Sequence, residues 1–171
     1  MHVTLGSVVS ITLNLLLAAY FFYTLVAIFK GAAPVPSRQS TVQSMMRLAS
    51  VKEGEVLYDL GSGDGRVLFA AHALGARSIG YEINPFLYWY TRLRIALKRT
   101  AHVTVKRENF WNVPLGDANV VTVYLVPHLM ERLMKKVQEE AQPGTRIVSA
   151  VYPFPDWEPS EQDGSVFLYI V

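Results

Sequence analysis

The hydrophobic pattern divides the chain in two. From Val3 to Phe29 there are 27 consecutive residues without a formal charge, and every Lys, Arg, Asp and Glu lies at or beyond residue 30. As a helix this run would extend about 40 Å against roughly 30 Å of bilayer hydrocarbon, enough to cross with some tilt. A cleaved signal peptide wants a basic start, a shorter apolar core and a small-residue cleavage site. Here only the amino terminus and His2 precede the run, and Ala32-Ala33 is a poor cleavage site. The expectation is an uncleaved, single-pass membrane anchor over residues 1–30, in contact with the lipid bilayer through residues 3–29. Lys30 and Arg38 follow it, which by the positive-inside bias puts the rest of the chain on the cytoplasmic or matrix side. Ser7, Ser10 and Asn14 share helical spacing, and Tyr20 to Tyr23 form an aromatic block near the basic end. These features suit a lipid-facing anchor with interface aromatics better than a helix–helix contact. Residues 31–39, with Pro34 and Pro36, read as a linker.

Residues 40–171 alternate between two periods. Ser40 or Thr41 can cap a helix to about Ala49, with Val42, Met45, Met46 and Ala49 on one face. Glu55–Leu60 reads as a buried strand, then a glycine-rich turn, then a helix from Arg66 to Leu74. Ser78–Glu82 is a second strand, Pro85–Arg99 a helix and His102–Lys106 a third strand. Val120–Val126 is almost wholly apolar and β-branched, hence a central strand. A helix from His128 to Ala141 stops before Pro143-Gly144, Arg146–Val151 returns as strand, and Phe167–Val171 is the last strand. This alternation implies an α/β, doubly wound, mostly parallel sheet whose final strand, arriving without room for a helix, is antiparallel at or near the edge.

Composition narrows the chemistry only at some points. A length of 171 residues allows one domain with a proper core. The absence of cysteine excludes a disulfide framework, cysteine-ligated zinc and thiol catalysis. A formal charge of +2 decides nothing about partners, and no concentrated basic groove suggests nucleic acid. Histidines at 2, 72, 102 and 128 have no paired spacing, so no metal is expected.

The segment Asp59-Leu-Gly61-Ser62-Gly63-Asp64-Gly65 sits where a strand feeds a helix, the usual ligand crevice of such sheets. Its alternate glycines let the backbone turn sharply and approach a ligand. Asp59 and Asp64 would repel a pyrophosphate and suit a ligand carrying an ammonium or sulfonium. Glu82 closes the second strand, the place where a carboxylate accepts from a ribose diol. A nucleoside with cationic substituents and no phosphate fits: S-adenosylmethionine.

Asp59-Leu-Gly-Ser-Gly-Asp-Gly65 with Tyr81-Glu82 resembles the first two motifs of class I methyltransferases, whose fold is a Rossmann-like sheet. The run Gly80-Tyr-Glu-Ile-Asn-Pro85, Trp89-Tyr90, Val126-Pro127 and Pro153-Phe-Pro155 with Trp157 is similar to a narrower group, the membrane-associated protein-lysine methyltransferases. Mitochondrial members of that group modify the ATP synthase c subunit and the adenine nucleotide translocase. The resemblance implies a methyltransferase domain over 40–171 that methylates a lysine of an integral membrane protein. It also implies that Asp59, Gly61, Gly63 and Asp64 line the methionine part of the cofactor, that Ser62 and Gly65 of the same turn are cofactor-binding, and that Glu82 takes the ribose hydroxyls. Asn109, followed by Phe110, falls where the group usually has an acid beside adenine; an asparagine carbonyl still accepts there, but more weakly.

Methyl transfer to an amine needs alignment, exclusion of water and a neutral nucleophile, which an apolar channel favours by lowering the lysine pKa. No strong general base is required, and no single catalytic residue is singled out. Channel candidates are Tyr124, Val126, Pro127 and His128, after the central strand. Tyr152, Pro153, Phe154 and Trp157, in a rigid aromatic loop, are candidates for substrate contact. Tyr124 suits core as well as channel, and His128 suits a capping or surface role better than a base. Tyr88, Trp89 and Tyr90 cannot all face one site, and read mainly as packing. Arg92, Arg94, Lys98, Arg99, Lys135 and Lys136 read as solvated helix faces that an anchor could hold near anionic lipid. Other readings that keep the cofactor are a lipid-like or small-molecule acceptor, or a non-catalytic S-adenosylmethionine-binding module.

Overall fold

The computed structural model describes residues 4–29 and 37–171, with side chains in the first segment described through Val26. Lys30, Ala32-Ala33, Pro34, Pro36 and most of the expected linker lie outside the described residues. The chain forms α1 (Leu5–Phe29), α2 (Gln39–Ala49), β1 (Val56–Leu60), α3 (Arg66–Ala73), β2 (Arg77–Tyr81), α4 (Pro85–Lys98) and β3 (Val103–Lys106). It continues with β4 (Val120–Val123), α5 (Met130–Glu140), β5 (Arg146–Ala150), β6 (Glu161–Asp163) and β7 (Val166–Ile170). The strands make one sheet in the order β3-β2-β1-β4-β5-β7-β6. The first five in that order are mutually parallel, and β7 runs antiparallel to both β5 and β6.

The central strands are apolar on both faces because both faces are covered. All four residues of β4 are buried. One face packs against α5 and the Phe110–Val113 segment, with Leu133, Val137 and Phe110 in its core. The other packs against α2 and α3, through Val42, Met45, Met46, Ala49, Leu68 and Ala71. The expected apolar face of α2 is therefore the buried one. Asn84 starts α4 by accepting from the amides of Phe86 and Leu87, with Pro85 at the first helical position.

Beyond shifts of a residue or so at element ends, the fold departs from the sequence expectation around Pro127 and before the last strand. The central strand ends at Val123, so Tyr124–Val126 leave the sheet although they continue its apolar run. A short 3-10 turn at Pro127–Leu129 precedes α5, because a proline there caps a turn more readily than it continues a strand. A three-residue strand, β6, also pairs with β7, which makes β7 second from the edge. Arg47 of α2 reaches Asp163 and ties that polar edge strand to the body.

Within α1, Leu5–Val26 is long and apolar enough to cross a membrane by length and composition. Asn14 donates its side-chain amide to the Ser10 carbonyl at 2.8 Å, and Thr12 donates to Val8 at 2.9 Å. Polar groups bonded to their own helix suit a lipid-facing role. Near its end, the rings of Tyr20 and Tyr23 meet Phe86 of α4 edge-on, with centroids 5.6 and 6.3 Å apart.

Candidate active site

Five parallel strands place their carboxyl ends along one edge, and the expected site residues follow those ends. Residues 61–65 follow β1, Glu82 follows β2, 109–110 follow β3, 124–128 follow β4 and 152–157 follow β5. The sheet order reverses between β1 and β4, which opens a crevice above these two strands.

The turn after β1 is fixed from three sides. The amides of Gly61 and Ser62 donate to the Tyr81 carbonyl at 2.9 and 3.1 Å, and the Gly63 amide donates to Glu82 Oε2 at 2.8 Å. From α4, the Thr91 hydroxyl donates to the Gly63 carbonyl at 2.9 Å and Arg94 donates to the Asp64 carbonyl. Gly65 has φ +78, and a Cβ there would lie 2.7 Å from Thr91 Cγ2, so both conformation and space demand glycine.

Two buried carboxylates stand beside this turn. Glu82 accepts from the Asn84 amide at 2.7 Å as well as from Gly63, and burial raises its pKa against the pull of these amides. A carboxylate has about four acceptor positions, so these amides do not exhaust its capacity to accept from a diol. Asp59 accepts from the Thr122 hydroxyl at 2.8 Å. Burial pushes its pKa up to about 7, opposed by the Thr122 bond and reinforced by the charges of Glu82 and Asp64. A bound cation would relieve this clustering of negative charge. This pair of acceptors therefore fits the ammonium and ribose hydroxyls of S-adenosylmethionine, which donate.

Asp64 differs from the sequence expectation. Its carboxylate accepts from Arg66 at 2.8 and 2.9 Å and lies 3.5 Å from Arg94. Partial burial opposes ionisation, but these guanidinium contacts hold its pKa below the ordinary range. Its charge is compensated, so the electrostatic case against a pyrophosphate rests on Asp59 and Glu82. Asn109 also differs: its side-chain oxygen accepts from the Trp111 amide at 3.2 Å, starting the turn at Phe110–Asn112. Gly61, Glu82, Ile83, Glu108, Asn109 and Phe110 line a narrow groove. It brings together three strand ends named from the sequence and adds Glu108, an exposed carboxylate that sequence reasoning missed. An acid one position before Asn109 was the available signal.

The channel candidates divide. Pro127 and His128 are exposed, Val126 is half-buried, and Tyr124 packs against the core on the α2–α3 side of the sheet. In the 152–157 loop, Phe154 is only 4% exposed; its amide donates to the Tyr169 hydroxyl at 3.0 Å and its ring stacks on Trp157 at 5.5 Å. Burial therefore assigns Phe154 to the core, while Tyr152 and Pro153 stay accessible. Val151 has φ +75, strained for a β-branched residue, and Ser149 Oγ donates to the Tyr152 carbonyl at 2.6 Å. The loop leaves β5 in one fixed direction.

Two surface expectations are corrected. Trp89 and Tyr90 are 60% and 52% exposed, not packed, because Thr91 and Ile95 form the inner side of α4. Lys136 is buried and bonded to Glu140 at 2.6 Å, so it is no solvated face. Among the described residues, no group of three or more His, Cys, Asp or Glu could hold a metal.

Known proteins that this chain resembles include methyltransferases whose described acceptors differ. A family model described as the ANTKMT methyltransferase domain matches residues 59–161. A lysine N-methyltransferase of the ATP synthase c subunit, from Rattus norvegicus, is 35% identical over 132 residues, covering 76% of this chain and 60% of that protein. A protein-lysine N-methyltransferase of Saccharolobus islandicus is 33% identical, covering 80% of this chain and 92% of that protein. A solved structure described as an RNA methyltransferase from Salinibacter ruber, in complex with S-adenosyl-L-homocysteine, is 34% identical. Its TM-score is 0.76, with 80% of this chain and 93% of that chain covered. The chain spans between 53% and 66% of the length of the first curated relatives it matches.

Proposed function

The chain belongs to the ANTKMT methyltransferase family, and from that membership we propose that it is a membrane-anchored, S-adenosylmethionine-dependent protein-lysine N-methyltransferase acting on a lysine of a membrane protein. The observation that carries the reading is the pair of buried acids, Asp59 and Glu82, at the reversal of the sheet, with Glu82 bonded to the glycine turn. The lysine acceptor is supported by the archaeal relative, nearly all of which this chain spans. The membrane setting is supported by the span Leu5–Val26 and by the charges that follow it, which favour the cytoplasmic or matrix side for the domain.

When bound, the cofactor supplies an electrophilic methyl carbon whose bond to sulfur breaks as a bond to the acceptor nitrogen forms. The protein's part is placement. Asp59 neutralises the amino-acid end, Glu82 holds the ribose, and the groove at Glu108, Asn109 and Phe110 takes the base. In this reading Val126, Pro127 and His128 border the approach of the lysine, and Tyr152 and Pro153 face it from the end of β5. The lysine must arrive neutral; its proton leaves to water, with the exposed His128 ring beside the approach as the side-chain acceptor within this group of residues.

The test is to incubate the full chain, and an Asp59→Asn variant, with methyl-labelled S-adenosylmethionine and membranes of its host, then hydrolyse the labelled products. Methyl-lysine in an integral membrane protein, absent with the variant, is the expected result. Label confined to RNA, lipid or small molecules would replace the acceptor, and cofactor binding without label would leave a binding module.

A further inference from the structure

The outer side of α4 is apolar although nothing in the domain covers it. At 100° per residue, Phe86, Leu93 and Leu97 align, with Trp89 and Tyr90 to either side. Trp89, Tyr90, Leu93 and Leu97 are 60%, 52%, 58% and 74% exposed. Thr91 and Ile95 face the opposite way, into the domain. Basic residues flank the stripe. Arg92, stacked over Trp89 at 5.1 Å, lies on one side; Lys98, whose ammonium sits 5.5 Å from the Phe69 ring, lies on the other; Arg99 follows the helix end. An apolar stripe bordered by cations is the pattern of a helix lying in the membrane interface.

What covers this stripe is indicated by its neighbour. The amino end of α4 touches α1 through Phe86 against Tyr20 and Tyr23, the aromatic end of the candidate span. Aromatic rings of spans gather at the headgroup level, so a span in the bilayer brings Phe86 to that level and the stripe beside it. We infer that α4 docks along the surface of an anionic bilayer, its stripe among the acyl boundary and Arg92, Lys98 and Arg99 among the headgroups. The inference rests on the anchored reading of α1. It has a consequence for the site: Thr91 and Arg94, on other sides of the same helix, hold the carbonyls of Gly63 and Asp64. The bilayer would thus brace the helix that holds the glycine turn.

The chain has no cysteine, so single cysteines can be placed without background. Full-length Leu93→Cys, Leu97→Cys, Leu16→Cys and Glu139→Cys variants would carry a nitroxide label in nanodiscs of phosphatidylcholine and phosphatidylglycerol, with collision rates measured for oxygen and for a water-soluble nickel chelate. Position 139 lies on α5, across the sheet, as the aqueous reference, and position 16 reports on the anchor. The expected result is a several-fold loss of nickel access at 93 and 97 relative to 139, with oxygen access retained. Free nickel access at 93 and 97 overturns the docking, whether position 16 lies in lipid, leaving the anchor intact, or in water, removing both. Lipid-like access at 93 and 97 with water at 16 keeps the docking and removes the anchor. Protection from both collision partners overturns the docking in favour of a protein contact.

Discussion

At Asp59 two requirements oppose each other. A cation needs the carboxylate ionised, while burial favours its protonated form and lifts the pKa from the ordinary 3.8 to about 7. Between those values the folded protein keeps a proton that the unfolded chain releases, so folding stability falls as pH rises from about 4 to about 7 and levels off above. Denaturant unfolding without cofactor at pH 5 and pH 8 should show this loss, and Asp59→Asn should shrink it by up to a few kcal/mol. An unchanged pH slope in the variant would remove Asp59 as the cause. The same variant, titrated with S-adenosylmethionine near pH 7.5, should bind about 10- to 100-fold more weakly, the value of a hydrogen bond to a charged group. Glu108 and Asn109 give the second contrast. Since the Asn109 side-chain oxygen is bonded to the Trp111 amide, Glu108→Gln should weaken binding several-fold, while Asn109→Asp, which keeps a good cap, should not. Calorimetry on both variants decides which residue serves the base. Sequence reasoning singles out Asn109 because position in a motif is visible, whereas the partner of its oxygen depends on a turn that only the fold reveals.

Among the elements, α4 carries the most information, because its inner side determines the glycine turn. Thr91→Val keeps the shape and removes the hydroxyl from the Gly63 carbonyl. A lost buried hydrogen bond costs about 1 kcal/mol of folding stability, so the melting temperature should fall by about 2–4 °C, and cofactor affinity should fall by up to roughly fivefold as the glycine turn loses its brace. Gly65→Ala should do more, adding left-handed strain and a 2.7 Å contact with Thr91, and should lower stability by roughly 1–3 kcal/mol in thermal unfolding. The glycine turn, the acid at the end of β2 and the parallel core were legible because each has a local signature: alternate glycines, a strand end, and β-branched runs. Other elements had none. β6 is Glu-Gln-Asp, three polar residues with no alternation, and it pairs only because the turn before β7 folds it back. Tyr124–Val126 share the apolar character of β4, yet leave the sheet because Pro127 starts a turn. Phe154 belongs to an aromatic loop that reads as accessible, but the distant Tyr169 hydroxyl draws its backbone into the core. Trp89 and Tyr90 suggest packing by their size alone, although the inner side of α4 belongs to Thr91 and Ile95.

At the scale of the whole molecule, the candidate site and the candidate span occupy separate parts of the chain. All residues of the glycine turn, the groove and the strand-end loops lie beyond Asp59, whereas the candidate span ends at Val26. The two parts meet at Phe86, whose ring touches Tyr20 and Tyr23, next to the start of α4 rather than within the groove. Charges introduced on the exposed side of α1 should therefore remove the membrane without removing the chemistry. An arginine at the centre of a span costs about 2.5–3.5 kcal/mol, so two of them outweigh the margin of an ordinary single span. Full-length Leu13→Arg with Leu16→Arg should move from the carbonate-resistant membrane fraction to the soluble fraction, and should bind S-adenosylmethionine within about twofold of the parent, since neither position lies at the site. On a soluble lysine peptide the variant should retain turnover; on an acceptor reconstituted in vesicles it should lose most of it, because tethering converts a three-dimensional search into a local one with a high effective concentration. Equal rates on the embedded acceptor would mean that the domain finds its substrate through protein contacts alone. A collapse of cofactor binding would mean that α1 supports the fold of the site, and that the contact at Phe86 is structural rather than orienting.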